Sequence, residues 1–308
     1  MRRHFVNRLP LADNHRLTLR TVYILPSRIG IMFAITLALL LLTSINYQLN
    51  LGFLLTFLVA GCAAISGLAA HENLRGLSLH LLPPEPGFAG SAADVSVRVV
   101  NPTRRERFSL TLLIDTAPDA AEFDVPAQGE CVVHLQLPLV RRGRRALPPL
   151  RLSTRFPLGA FSVWTIWRPA TRVTVYPAPE TPAPPLPPGE PVFGHGTQTV
   201  AGRGFAEFDG VRARRDGDSL RLMVWKKFAQ TGIPISRDAP QTQRAVLQLD
   251  AAHTGLRDHE AVLSRLTAWV LAAEKQGAPY GLRQGGVQLA PSVGAAHRAA
   301  CLQTLADA

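Results

Sequence analysis

The chain has 308 residues, 47% of them hydrophobic and 18% charged, with a formal net charge of +11. That length holds two modest domains plus an unusually apolar segment. Its three cysteines, Cys62, Cys131 and Cys301, have no framework or metal spacing, which excludes a disulfide scaffold and fits a reducing compartment.

The N-terminal segment, residues 1–28, carries Arg2, Arg3, Arg8, Arg16, Arg20 and Arg28 against one acid, Asp13. From Ile29 to Ala70 there is no Asp, Glu, Lys, Arg or His, a run of 42 residues broken only by the polar turn Ser44–Asn50. The run is too long for the apolar region of a signal peptide, about 7 to 15 residues. It suits two membrane-spanning helices of about 20 residues each, expected at 29–47 and 50–70. The arginine bias before the first span, against an uncharged connecting turn, places both termini in the cytoplasm by the positive-inside rule. The bacterial inner membrane is the expected location and the bilayer the first expected partner. Arginines near an anionic inner surface serve orientation and lipid contact. No zinc-finger, helix-turn-helix or aromatic RNA-binding motif accompanies them, so nucleic acid is not expected as a partner.

Beyond the spans the period changes. In "ADVSVRVV" Val95, Val97 and Val99 alternate with Ser96 and Arg98, and in "CVVHLQL" Cys131, Val133, Leu135 and Leu137 alternate with His134 and Gln136. This is the period-2 pattern of half-buried strands. Adding "LSLHLL" at 77, "FSLTLLI" at 108, "FSVWTIW" at 161 and "RVTVY" at 172 predicts an all-β, Ig-like antiparallel sandwich over 77–176. His134 falls on its outward face with no second ligand at metal spacing.

Eight prolines between Pro177 and Pro191 then mark a linker over 177–193. Such a run is a stiff spacer of up to ~45 Å or a wrap along a domain surface.

The remainder, 194–308, alternates strand and helix as a small α/β domain. "RAVLQLD" reads as a buried strand, and 258–276 as a helix with Val262, Leu266, Trp269, Val270 and Ala273 on one stripe, closed by Gly277 and Pro279. "PYGLR" and "VQLAP" flank Gly285-Gly286 as a hairpin, and Ser292 is the expected cap of a last helix.

The stretch "AEFDGVRARRDGDSLRLMVWKKFAQTG", 206–232, packs four acids, six bases, a tryptophan and three glycines into 27 positions. Asp218 or Ser219 is placed to cap a helix running to about Ala229. Its carboxylates, Glu207, Asp209, Asp216 and Asp218, each have arginines within a few residues, which favours ion pairs over a raised-pKa acid. No G-x-S-x-G, H-E-x-x-H or G-x-x-x-x-G-K-[ST] motif occurs anywhere, and "GHGTQTVAGRG" at 194–204 lacks the spacing of a phosphate loop. No cofactor and no catalytic residue is expected. A membrane-surface hydrolase or transferase, or a module binding anionic lipid or envelope through Arg141, Arg142, Arg144 and Arg145, are the alternatives.

"HENLRGL" at 71–77, "RRGRRALPPLRLSTRFPLGAF" at 141–161 and "FDGVRARRDGDSLRLMVWKKFA" at 208–229 together resemble the domain-of-unknown-function 58 family in order and spacing. Glu207, Phe208, Arg212, Gly217, Asp218, Arg221, Trp225 and Lys226 match its motif, while Arg214, Asp216, Val224 and Gln230 depart from it. The resemblance implies a membrane anchor and a partial von Willebrand factor A-like C-terminal region. It also implies work as an adaptor beside a MoxR-type AAA+ ATPase and a transglutaminase-like membrane protein. An A-domain adhesion site holds Mg²⁺ through D-x-S-x-S. Here the corresponding residues are Asp250, Ala252 and Thr254, a degenerate set from which no metal site is expected.

Overall fold

The computed structural model describes residues 11–115, 119–192, 211–213, 229, 235–237 and 244–308. Its first two helices are α1 (Arg28–Asn46) and α2 (Asn50–Leu74), both long and apolar enough to cross a membrane. Only 6% and 22% of their most apolar windows are buried, whereas a core helix of a soluble domain would be mostly covered. Ser27 caps α1 by accepting from the Gly30 amide at 3.0 Å. The hydroxyls inside the spans, Thr36, Thr43, Ser44 and Thr56, each donate to the carbonyl four residues earlier, which satisfies them without water.

Two antiparallel sheets enclose the larger core. One has the order β1 (Asn14–Arg16), β3 (Ser78–Leu81), β5 (Ala92–Val100), β8 (Glu130–Pro138). The other has the order β2 (Tyr23–Pro26), β11 (Phe161–Trp167), β10 (Leu150–Thr154), β6 (Arg107–Ile114), β7 (Ala120–Val125). Val95, Val97 and Val99 of β5 and Leu110 and Leu112 of β6 are fully buried between them, as the alternation requires.

Residues 11–27, ahead of α1, are built into the sheets. Their strands β1 and β2 extend the two sheets, pairing His15 with Leu79 and Ile24 with Val163. At three and four residues, "NHR" and "YILP" are too short to show a period, so they were illegible as strands. Asp13, the lone acid there, accepts from the Thr171 and Ala170 amides at 2.8 and 2.9 Å. Those bonds, Thr171 first, hold its carboxyl below the usual range. Trp167 donates its indole N–H to the Ala12 carbonyl at 2.5 Å. The chain before α1 and the chain after α2 therefore share both sheets and leave the helical hairpin on the same side.

The last turn of α2 is part of the sandwich. Asn73, 5% exposed, donates to the Phe108 carbonyl at 2.7 Å and to Thr154 Oγ1 at 3.1 Å, and accepts from the Phe108 amide at 3.1 Å. Arg107, also buried, donates to the carbonyls of Glu72 and Arg75, closing the C-terminal end of the helix with a cation.

A three-stranded sheet, β4 (Gly87–Phe88), β12 (Arg172–Tyr176), β9 (Gly143–Ala146), leads to the second core. There β13 (Glu190–Val192), β16 (Arg244–Asp250), β17 (Tyr280–Gln284) and β18 (Val287–Ser292) form one sheet, packed by α3 (His259–Gln276) and α4 (Ala295–Asp307). Strands β16 and β17 are parallel and joined through α3, while β17 and β18 form the expected hairpin. Asp258 caps α3 and Gly277, in the left-handed region at φ +65°, ends it. Ser292 does not cap α4. It closes β18 opposite Tyr280, and Gly294 at φ +106° turns the chain into the helix without a side-chain cap. The end of the proline-rich segment is likewise not all linker, since Glu190–Val192 pairs as an edge strand with β16, a position that tolerates Pro191. A separate ribbon pairs β14 (Val211–Ala213) with β15 (Ile235–Arg237).

Candidate functional site

Of the motif residues, Arg212 lies on β14 in register with Ser236 of β15. Glu207, Phe208, Gly217, Asp218, Arg221, Trp225 and Lys226, and the helix expected from Asp218, lie outside the described residues.

Asp250 ends β16, where ligands gather at the carboxyl ends of parallel strands. Its Oδ1 accepts from the Ala252 amide at 2.9 Å and its Oδ2 lies 3.6 Å from the Arg283 guanidinium. Thr254, 4% exposed, turns its hydroxyl to the Ala251 carbonyl at 2.7 Å. The carboxylate thus caps a 3-10 turn (Ala251–Thr254), and a guanidinium supplies its counter-charge. Among the described residues no three His, Cys, Asp or Glu side chains gather as a metal site.

The basic run between the two cores faces the α/β part. Arg142 pairs with Glu260 at the start of α3, and Arg144 Nη2 reaches Asp307 of α4 at 3.3 Å. Arg145 donates to the carbonyls of Arg141 and Arg142, folding the run into a tight turn. Two of the four arginines therefore clasp the α/β part to β9. His134 is exposed on the sandwich, and its Nδ1 lies 3.0 Å from Asp94 Oδ2 and 2.9 Å from Ser96 Oγ across the β5–β8 ladder.

The proline-rich segment wraps α3. Glu180 takes a two-pronged bond from Arg265, Nε to Oε2 at 2.8 Å and Nη2 to Oε1 at 2.9 Å, and Trp269 donates its indole N–H to the Pro185 carbonyl at 2.9 Å. A cleft of about 490 Å³ lies between prolines 184–188 and the side chains of Trp269, Arg265 and His253. The Arg265 bonds hold the Glu180 carboxyl below its usual range. A depressed folded-state value stabilises above the ordinary carboxylate pKa of 4.5 and stops doing so as pH falls through the lowered value. Protease protection of the 177–191 segment is accordingly expected to fall on acidification below that range. A Glu180→Gln variant should lack this acid limb and be cut faster at neutral pH.

Cys301, His297, Tyr280 and Glu274 meet inside the second core. Cys301 Sγ lies 3.5 Å from His297 Nε2, which also contacts the Tyr280 carbonyl at 2.8 Å, while the Tyr280 hydroxyl donates to Glu274 at 3.2 Å. Burial, reinforced by Glu274, pushes the Cys301 thiol up to about 11. A fully buried thiol of that kind stays protonated at neutral pH and packs rather than attacks.

A second concavity, about 530 Å³, lies on the outer face of the β7–β6–β10–β11 sheet. Ser153 of β10, Thr111 of β6 and Glu122 of β7 stand in one register row across it, flanked by Arg151, Arg155 and Ser162. Ser109 sits in a β-bulge at φ +48°, its amide bonded to Asp124 Oδ1 at 2.7 Å, and widens the groove. Sequence reading missed this site because its residues come from four strands and only the register aligns them. The polar outward positions of β6, β7 and β10 were the available signal. No protein-family model matches the chain, and no curated protein matches it.

Proposed function

We propose that the protein is a membrane-anchored adaptor or assembly factor related to the domain-of-unknown-function 58 family, with an Ig-like sandwich and a partial von Willebrand factor A-like region in the cytoplasm. Its partners in this reading are a MoxR-type AAA+ ATPase and a transglutaminase-like membrane protein. One observation carries the reading: the helical hairpin is bonded into the sandwich through β1, β2 and Asn73, and the sandwich is in turn paired to the α/β part through Arg142 and Arg144. Such continuity suits a protein that holds a docking surface at a set distance from the bilayer. The six N-terminal arginines and the uncharged turn between the spans support a cytoplasmic placement, and the motif at 207–226 supports the family.

The test is a cross-linking pull-down from native membranes, comparing the full chain with Trp225→Ala and Arg212→Ala variants shown to be folded and inserted. Recovery of a AAA+ ATPase with the wild type, lost in both variants, is expected. Recovery unchanged in the variants would reduce the motif to a fold clasp, and recovery of no ATPase would overturn the adaptor reading. A reporter fused after Ala308 that is active only in the periplasm would overturn the orientation.

A further inference from the structure

The β10–β11 end of the groove on the outer sheet face stands where the apolar runs of α1 and α2 end. Gly30 of α1 packs against the Ala160 carbonyl, and Gly67 of α2 against the Phe161 ring, so the start of β11 sits where the apolar run of both helices ends. Ser27 ties the same turn down, donating from its hydroxyl to the Gly159 carbonyl at 2.5 Å. Six residues further along α2, about 9 Å of helix, Asn73 bonds Phe108 of β6 and Thr154 of β10. Two strand spacings amount to about 10 Å, so β11, β10 and β6 follow one another along the helix axis, away from the apolar layer. The headgroup layer is about 5–7 Å deep on each side of the hydrocarbon. The turn from β10 to β11 exposes Leu158 at its apolar edge, with Arg155 and Phe156 beside it.

We propose that the β10–β11 end of this groove binds the phosphodiester of a bilayer phospholipid headgroup. Arg155 supplies a charge-assisted donor, and the hydroxyls of Ser153 and Ser162 supply neutral ones, to phosphate oxygens that can only accept. Arg151 lies over the Trp164 ring at 5.2 Å, which orients its guanidinium along the sheet face and makes Trp164 a reporter of the site. Phe156, in ring contact with Phe108 at 5.2 Å, closes the groove at the turn.

The inference rests on α1 and α2 being membrane spans, which alkaline carbonate extraction of native membranes tests by itself; release of the chain would fail that reading alone. The site is tested on the full chain in a phosphate-free maltoside detergent. Short-chain phosphatidylethanolamine and inorganic phosphate are titrated separately. The signal is the emission change present in the wild type and absent in Trp164→Phe. Phosphatidylethanolamine is expected to saturate it, with a midpoint about tenfold higher in Arg155→Gln, the loss of roughly one charge-assisted bond. Ser153→Ala is expected to raise the midpoint less. The proposal is overturned by no Trp164-dependent change, or by an equal midpoint with inorganic phosphate, which would mark a free-anion site. Retention of the wild-type midpoint in both Arg155→Gln and Ser153→Ala would overturn it as well, since exposed Arg155 can be replaced without disturbing the core.

Discussion

Replacing Asn73 by leucine is expected to lower the stability of the sandwich by about 1–3 kcal/mol, because it strips side-chain partners from two part-buried backbone groups at once. The Phe108 carbonyl loses its 2.7 Å donor and the Phe108 amide loses its 3.1 Å acceptor, both part-buried beside Asn73, which is 5% exposed. Leucine has the same number of side-chain heavy atoms and is no smaller, so the loss cannot be assigned to a cavity. Urea unfolding of the detergent-solubilised chain, followed by Trp164 and Trp167 emission, measures it. An unchanged midpoint would mean that α2 ends against the sandwich without being bonded to it. Asn73 is thus one of several ties, with Arg107, β1 and β2, that hold the helical hairpin to the sandwich.

Trp269→Ala is expected to cost about 3–5 kcal/mol in the α/β part, the usual penalty for truncating a buried tryptophan. Trp269 is 4% exposed within the core that also holds Leu266, Val270 and Tyr280, and it supplies the bond that fastens Pro185. Trp269→Phe keeps most of the apolar contact and removes that donor, so a loss of only about 1–2 kcal/mol is expected, with faster proteolysis between residues 177 and 191. Because the sandwich core and the α/β core are separate clusters, the Asn73 and Trp269 losses should add to within about 0.5 kcal/mol. Strong non-additivity would show that the clasp through Arg142 and Arg144 couples the two cores energetically.

Wherever a period runs long enough to repeat, local chemistry alone was sufficient. The uncharged run from Ile29 to Ala70 announces two helices because lipid admits no unpaired charge. Val95, Val97 and Val99 announce β5 because one face of a sheet must be apolar, and the stripe of α3 with Asp258 and Gly277 at its ends announces that helix. The proline-rich segment was legible as a wrap or a spacer, because proline restricts the backbone without saying what lies beside it.

Tertiary structure decided everything that depends on partners distant in the chain. β1 and β2 are strands only because β3 and β11 offer open edges, and Asp13 is a staple only because Thr171 and Ala170 arrive there. The arginines at 141–145 read as a patch for an anionic surface, yet the fold gives Arg142 and Arg144 the carboxylates of Glu260 and Asp307, 118 and 163 residues away. Asp250 read as a weakened metal position, and the fold sets Arg283 beside it. The sandwich groove needs the β6, β7, β10 and β11 registers together before Ser153, Thr111 and Glu122 form a row. A sequence by itself determines which faces must be buried and which segments are long and apolar enough to enter lipid, because those follow from the hydration of each side chain; which charge meets which is set by strand pairing over a hundred residues or more, and only the folded chain contains that information.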